Sequence, residues 1–189
     1  IEGLSEHFIY LNDDFLFGRE TPLEKFISPK GIFNIFGSLF GENLGWRIYN
    51  KKNEMFGLGL VEHNPLLFRK DLFDEMFALY PDKTQKMREH KFRQGDDLHL
   101  NKLHRFFMLK FYPELTRKVK VFELKRWHIF HKLTNNLSAQ VKAIKRLERR
   151  RPFFYCLNDD MRNNPDPQVL KLAQDYLART YPNPSQFEK

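Results

Sequence analysis

The chain has a single cysteine, Cys156, in 189 residues, so no intrachain disulfide can hold it together. A lone thiol agrees with a reducing cytoplasm. No apolar run approaches the roughly 20 residues that a membrane-spanning helix needs. No secretory or transit peptide is recognisable, and no low-complexity linker or break in composition divides the chain. One domain is therefore the economical reading, at roughly 100–200 residues per domain. Disorder is excluded as the default, because a chain with 41% hydrophobic residues, 20 of its residues Phe, needs a core. Apart from His63, the six other histidines show no zinc arrangement; His128 and His131 are three apart, but no Cys or acidic residue stands at ligand spacing. No recognisable nucleic-acid motif is present, so a nucleic-acid partner is not expected. The chain opens on Ile1-Glu2-Gly3, without an initiating Met, and reads as processed or as cut from something longer.

Negative charge is the scarcer sign. Lys plus Arg number 32 against 24 Asp plus Glu, a formal net charge of +8, and the sequence pI is about 9.5. A basic surface concentrates anions: nucleic acid, anionic lipid or phosphorylated substrates. The densest basic stretch is Lys142, Lys145, Arg146, Arg149, Arg150 and Arg151, interleaved with Val141, Ile144 and Leu147 at spacings of three. That pattern predicts an amphipathic helix over about 136–150. It reads either as a solvated face with cations at the favoured C-terminal end, or as a surface for anionic membrane or phosphate.

Along the rest of the chain, Phe8-Ile9-Tyr10-Leu11 and Phe153-Phe154-Tyr155-Cys156-Leu157 read as strands. Both are nearly continuous apolar runs, expected in central strands covered on both faces. Residues 22–45, rich in Gly and Phe, read as irregular with one short helix. Strands are expected at 46–49 and 55–61 around a polar turn, and another at 119–124. Helices are expected at about 69–80, ended by Pro81, at 84–91, at 96–111, stopped by Pro113, and at 167–180 after Pro165-Asp166-Pro167. The fold class is α/β: a mixed or mostly parallel, Rossmann-like sheet with flanking helices.

Leu11-Asn12-Asp13-Asp14 and Leu157-Asn158-Asp159-Asp160 are the same tetrapeptide, each at the end of an expected strand. Ligands of open α/β sheets bind outside the carboxyl ends of strands. Adjacent carboxylates repel, and a hard cation such as Mg²⁺, bound by carboxylates and substrate phosphates, is one reason to hold them together. Asx turns and helix caps are the structural alternative. His63, in Val61-Glu62-His63-Asn64-Pro65, falls in a loop between a strand and a helix, where functional residues concentrate. Arg93 offers a planar fork suited to phosphate oxygens. Asp96 or Asp97 just after it reads equally well as a cap of the following helix.

These segments resemble the Stealth family, which includes bacterial capsular polysaccharide phosphotransferases and the catalytic part of the animal N-acetylglucosamine-1-phosphotransferase. The family's second conserved block resembles Phe8 to Asp14 with Phe17-Gly18. Its third resembles His63-Asn64-Pro65 through Arg69, the helix to Pro81, and Phe92-Arg93 with Asp96-Asp97. Its fourth resembles Cys156-Leu157-Asn158-Asp159-Asp160. The first block, with a Tyr-Thr-Trp-Val-Asp-Gly-like motif, is absent. The chain is accordingly expected to be an N-terminally truncated, incomplete catalytic domain, poorly soluble or weak in UDP-sugar binding by itself.

The resemblance implies transfer of a hexose-1-phosphate from a UDP-sugar to a saccharide hydroxyl, with release of UMP, in capsular or exopolysaccharide synthesis. It implies Asp13, Asp14, Asp159 and Asp160 as a pool of ligands for Mg²⁺ or Mn²⁺, with Asp13, Asp14, His63 and Arg93 catalytic. Asn12, Asp97 and Asn158 would contact substrate, and the base stays open between His63 and an aspartate. Without inserted modules or many cysteines, the chain resembles the compact bacterial type. It would be cytoplasmic, with the 136–150 helix as a peripheral contact to anionic membrane. The rival readings are a metal-dependent glycosyltransferase releasing UDP and a non-catalytic basic module for lipid or polyanion.

Overall fold

A computed structural model describes residues 3–36, 48, 50–53, 63–92 and 94–184. In chain order the strands are β1 (His7–Tyr10), β2 (Phe15–Phe17), β3 (Phe33–Phe36), β4 (Leu66–Arg69), β5 (Thr116–Val119), β6 (His128–Leu133) and β7 (Phe154–Asp159). The helices of seven or more described residues are α1 (Leu72–Ala78), α2 (Pro81–Glu89), α3 (Leu100–Phe111), α4 (Val121–Trp127), α5 (Leu137–Arg150) and α6 (Pro167–Thr180). The α/β class is borne out. The chain forms two compact units: the first comprises Ile1–Leu11 and Pro22–Leu124, the second Asn12–Thr21 and Lys125–Lys189.

In the first unit β1 pairs antiparallel with β4, Phe8 opposite Phe68, and β3 pairs parallel with β5. The Gly- and Phe-rich region expected to be irregular thus contains a strand: Phe33-Asn34-Ile35-Phe36 is buried at all four positions. Leu66-Leu67-Phe68 is likewise a buried strand, so the helix expected at 69–80 is confined to α1. The expected strand at 119–124 is corrected. Pairing ends at Val119 and α4 begins at Val121, where the Glu123 carboxylate accepts from the Lys120 backbone N–H (3.3 Å) and holds Arg117 (3.2 Å). A helix-starting carboxylate of this kind overrides the alternating pattern. Of the strand expected at 46–49 only Ile48 is described, and it is helical, as are Asn50, Lys51 and Lys52 of the expected turn. The strand expected at 55–61 lies outside the described residues.

β1 is not covered on both faces. Its positions alternate between exposed and half-buried, and Ile9 keeps 37% of its surface in solvent. The apolar run of the sequence disguised an ordinary two-sided strand.

In the second unit β7 is central, as its apolar run predicts: β2 flanks it antiparallel and β6 parallel. The amphipathic helix appears as α5, at the expected place. Ile144 and Leu147 of α5 and Val169, Ala173 and Tyr176 of α6 pack with Tyr155 and Leu157 of β7 and with Ile129 and Leu133 of β6. Both helices start on sequence-legible caps. Asn136 accepts from the Ala139 N–H (3.1 Å), and Asp166 accepts from the Gln168 N–H (2.8 Å) with Pro167 at the first helical position. Among the described residues no helix is long and apolar enough to cross a membrane.

Candidate functional site

The two Leu-Asn-Asp-Asp sites meet in the second unit. A turn closed by the Phe15 N–H on the Asn12 carbonyl (3.1 Å) leads into β2. The Leu157 N–H then donates to the Asp14 carbonyl (3.0 Å), which carries the β2–β7 ladder one residue further. From the turn, the Asp14 side chain reaches β7, where its Oδ2 accepts from Asn158 Nδ2 (3.0 Å) and from the Cys156 thiol (3.1 Å). Cys156 and Asn158 are two apart on one strand and therefore share a face. Burial pushes the Cys156 thiol well up, reinforced by its bond to Asp14 and by the charges of Asp14 and Asp13. With its proton held, the sulfur serves as a donor to Asp14.

Asp13 and Asn12 sit in the turn, Asp13 exposed and Asn12 half-buried. Asp159 lies on the β7 face of Leu157, opposite that of Asn158. Its Oδ1 accepts from the Met161 N–H (2.9 Å), an Asx turn. Asp160 is exposed, anchored by its N–H on the Leu133 carbonyl (2.9 Å), and its carboxylate faces Lys132 (3.3 Å). The structure thus joins Asp14 with Asn158, while Asp159 is bound into its own turn. Among the described residues Asp14 and Cys156 bring potential ligand atoms within 4.8 Å of one another, and Asp13 and Asp160 are not part of that group. The carboxylate of Asp14 is an oxygen donor of the kind a hard cation takes, and the Cys156 sulfur beside it is a soft one.

The first unit holds the other candidates. His63 is half-buried with φ 55° just before β4, a left-handed conformation that a histidine adopts at some cost. The loop is fixed by its neighbour: Asn64 donates to the Pro65 carbonyl (2.8 Å) and accepts from Nη2 of Arg105 on α3 (2.7 Å), both residues fully buried. Beside Arg105, the buried His104 ring packs on Phe68, ring centres 4.2 Å apart. Burial, with a smaller contribution from Arg105, lowers the His104 pKa to about 3. Asp97 is buried; its Oδ1 meets His90 Nδ1 and its Oδ2 accepts from the Gln94 N–H, each at 2.7 Å. It does not cap α3, whose cap residue is His99. Arg93 lies outside the described residues.

Cys156, Asn64, Arg105 and His90 escaped the sequence reading. Cys156 had a signal, since it stands one strand period before Asn158. Nothing in the pattern of α3 marks Arg105.

Comparison with known proteins adds an independent line. Residues 62–110 match the family model "Stealth protein CR3, conserved region 3", and residues 145–189 match "Stealth protein CR4, conserved region 4". The whole chain aligns with the capsular polysaccharide phosphotransferase SacB of Neisseria meningitidis serogroup A, 28% identical over 206 residues and 37% of that protein. It also aligns throughout with the exopolysaccharide phosphotransferase CpsY of Mycobacterium leprae, 26% identical over 208 residues and 37% of that protein. The chain therefore spans little more than a third of the length of these curated relatives.

Proposed function

We propose, from the matches to conserved regions 3 and 4, that this chain is of the Stealth family and contributes to a phosphotransferase of capsular or exopolysaccharide synthesis. The reaction is transfer of a hexose-1-phosphate from a UDP-sugar to a saccharide hydroxyl. The acceptor oxygen attacks the hexose-bearing phosphorus, the diphosphate bridge breaks, UMP leaves and a phosphodiester remains. The observation that carries this reading is the Asp14 carboxylate, held by Asn158 and Cys156 where the duplicated tetrapeptides meet.

Asp14 is the anionic centre. Asn158 orients it, and the Cys156 thiol gives it a second hydrogen bond. Asp13 and Asp160 extend the oxygen set, Asn12 contacts substrate, and Asp159 acts by shaping the turn after β7. Bound Mg²⁺ or Mn²⁺ would neutralise charge on the diphosphate, the main demand of phosphoryl transfer. In the first unit His63 is assigned as base or phosphate contact, Arg93 as a contact to phosphoryl oxygens, and Asp97 as support for the segment that bears it. The exposed cations of α5 suit a peripheral contact with anionic membrane on the cytoplasmic side.

Asp14→Asn preserves the shape and an acceptor for Asn158 but removes the charge. It should lower turnover by about 10²–10⁴-fold, the span of a positioned catalytic group, with the melting temperature little changed. Turnover within a few-fold of the parent would remove Asp14 from the chemistry.

A further inference from the structure

The second unit contains a pocket of about 520 Å³ that the proposed reaction does not use. It lies at the opposite end of β2 and β7 from Asp14. Asp14 and Gly18 are four residues apart, roughly 13 Å along an extended strand. Three arginines line it, from three separate places in the chain: Arg19 after β2, Arg151 after α5 and Arg179 near the end of α6. Glu148, which also lines it, pairs with Arg179 (3.0 Å). Arg19 and Arg151 have no carboxylate partner among the described residues.

Cations beside helix C-termini ordinarily complement the helix dipole, and that suffices for Arg179. It does not account for Arg19, which belongs to no helix and is stacked on the Phe153 ring at 3.8 Å. Nor does it account for the backbone at Arg151. This residue ends α5 in the left-handed region, φ 41°, where glycine is the usual choice and a side chain is penalised. The side chain at this position lines the pocket.

The walls are fixed. A Cβ on Gly18 would collide with the Pro152 carbonyl, so the strand ends close tightly. The Tyr181 hydroxyl donates to the Phe17 carbonyl (2.6 Å) and meets the Tyr155 hydroxyl (3.0 Å), tying the end of α6 to the sheet. Aromatic and apolar walls around unpaired guanidinium groups suit a ligand with a ring and a phosphate, because arginine forks match phosphate oxygens.

We propose that this pocket binds a phosphodiester of the saccharide acceptor chain, away from the reacting diphosphate. The identity of the ligand rests on the transfer reading above; the anionic pocket does not. The 189-residue chain is titrated, without UDP-sugar, with a phosphodiester-linked oligosaccharide, its unphosphorylated counterpart, and hexose 1-phosphate. The phosphodiester oligosaccharide should bind most tightly. Arg19→Ala and Arg151→Gly should each weaken it about tenfold or more, the worth of a hydrogen bond to a charged group. Arg151→Gly should melt no lower than the parent, since it relieves the left-handed side chain.

Equal binding of the unphosphorylated oligosaccharide, or unchanged affinity in both variants, would overturn the site. Hexose 1-phosphate binding as tightly as the oligosaccharide would overturn the assignment to the acceptor chain. A fall in melting temperature for Arg151→Gly with binding intact would make Arg151 structural and overturn its role. The two proposals fail separately. Arginine-dependent binding without UMP release would defeat the transfer reading alone; UMP release on an acceptor lacking phosphodiesters, with no such binding, would defeat the pocket alone.

Discussion

His104 shows how one buried side chain sets the pH response of the first unit. Its pKa is about 3 in the folded chain against an ordinary 6.5, because burial and the neighbouring Arg105 disfavour the cation. Between those values the unfolded chain binds a proton that the folded chain refuses, so stability rises with pH. The contribution is complete above about pH 6.5 and declines on acidification, by roughly 1 kcal/mol per pH unit. Urea unfolding of the parent and of His104→Leu at pH 7 and pH 5 should show the variant losing less stability between the two. Parallel losses would mean that His104 is protonated in the folded chain. At the same scale, the repeated tetrapeptide singled out Asp14 and Asn158, but the hydrogen bond between them was not legible in it. The turn at Asp159 was legible only as an alternative, because an Asx turn and a metal ligand demand the same residue type. Arg105 was not legible, since a buried arginine depends on a partner 41 residues away in the chain.

At the scale of the element, the caps decide. Asp166 and Pro167 made α6 readable to the residue, and Asp166→Ala should cost about 1 kcal/mol in denaturant unfolding. No measurable loss would show that the cap is replaceable by water. Gly18→Ala should cost more, about 1–3 kcal/mol as an overpacking change, because the Pro152 carbonyl it meets is backbone and cannot turn away. A neutral result would mean that the ends of β2 and β7 separate freely. Where caps were missing, the sequence misled. Phe33–Phe36 is buried at every position and shows no alternation, so a short strand looked like a greasy loop. Val119–Leu124 did alternate, yet Glu123 starts a helix there.

For the whole molecule, length and composition suggested one body, and the chain is organised as two compact units. The carboxylate site and the arginine pocket both belong to the second, at opposite ends of the same two strands, while the fixed loop bearing His63 belongs to the first. Most of the α/β architecture followed from apolar runs and caps; the division into units did not, because no linker marks it and the boundary runs through α4. The central claim is a reaction with one distinguishing product. It is tested most directly by ³¹P NMR of the protein with UDP-sugar, saccharide acceptor and Mg²⁺. The account predicts UMP and a new phosphodiester resonance in equal amounts, both lost in Asp14→Asn. UDP accumulating with no phosphodiester would contradict it and make the protein a glycosyltransferase.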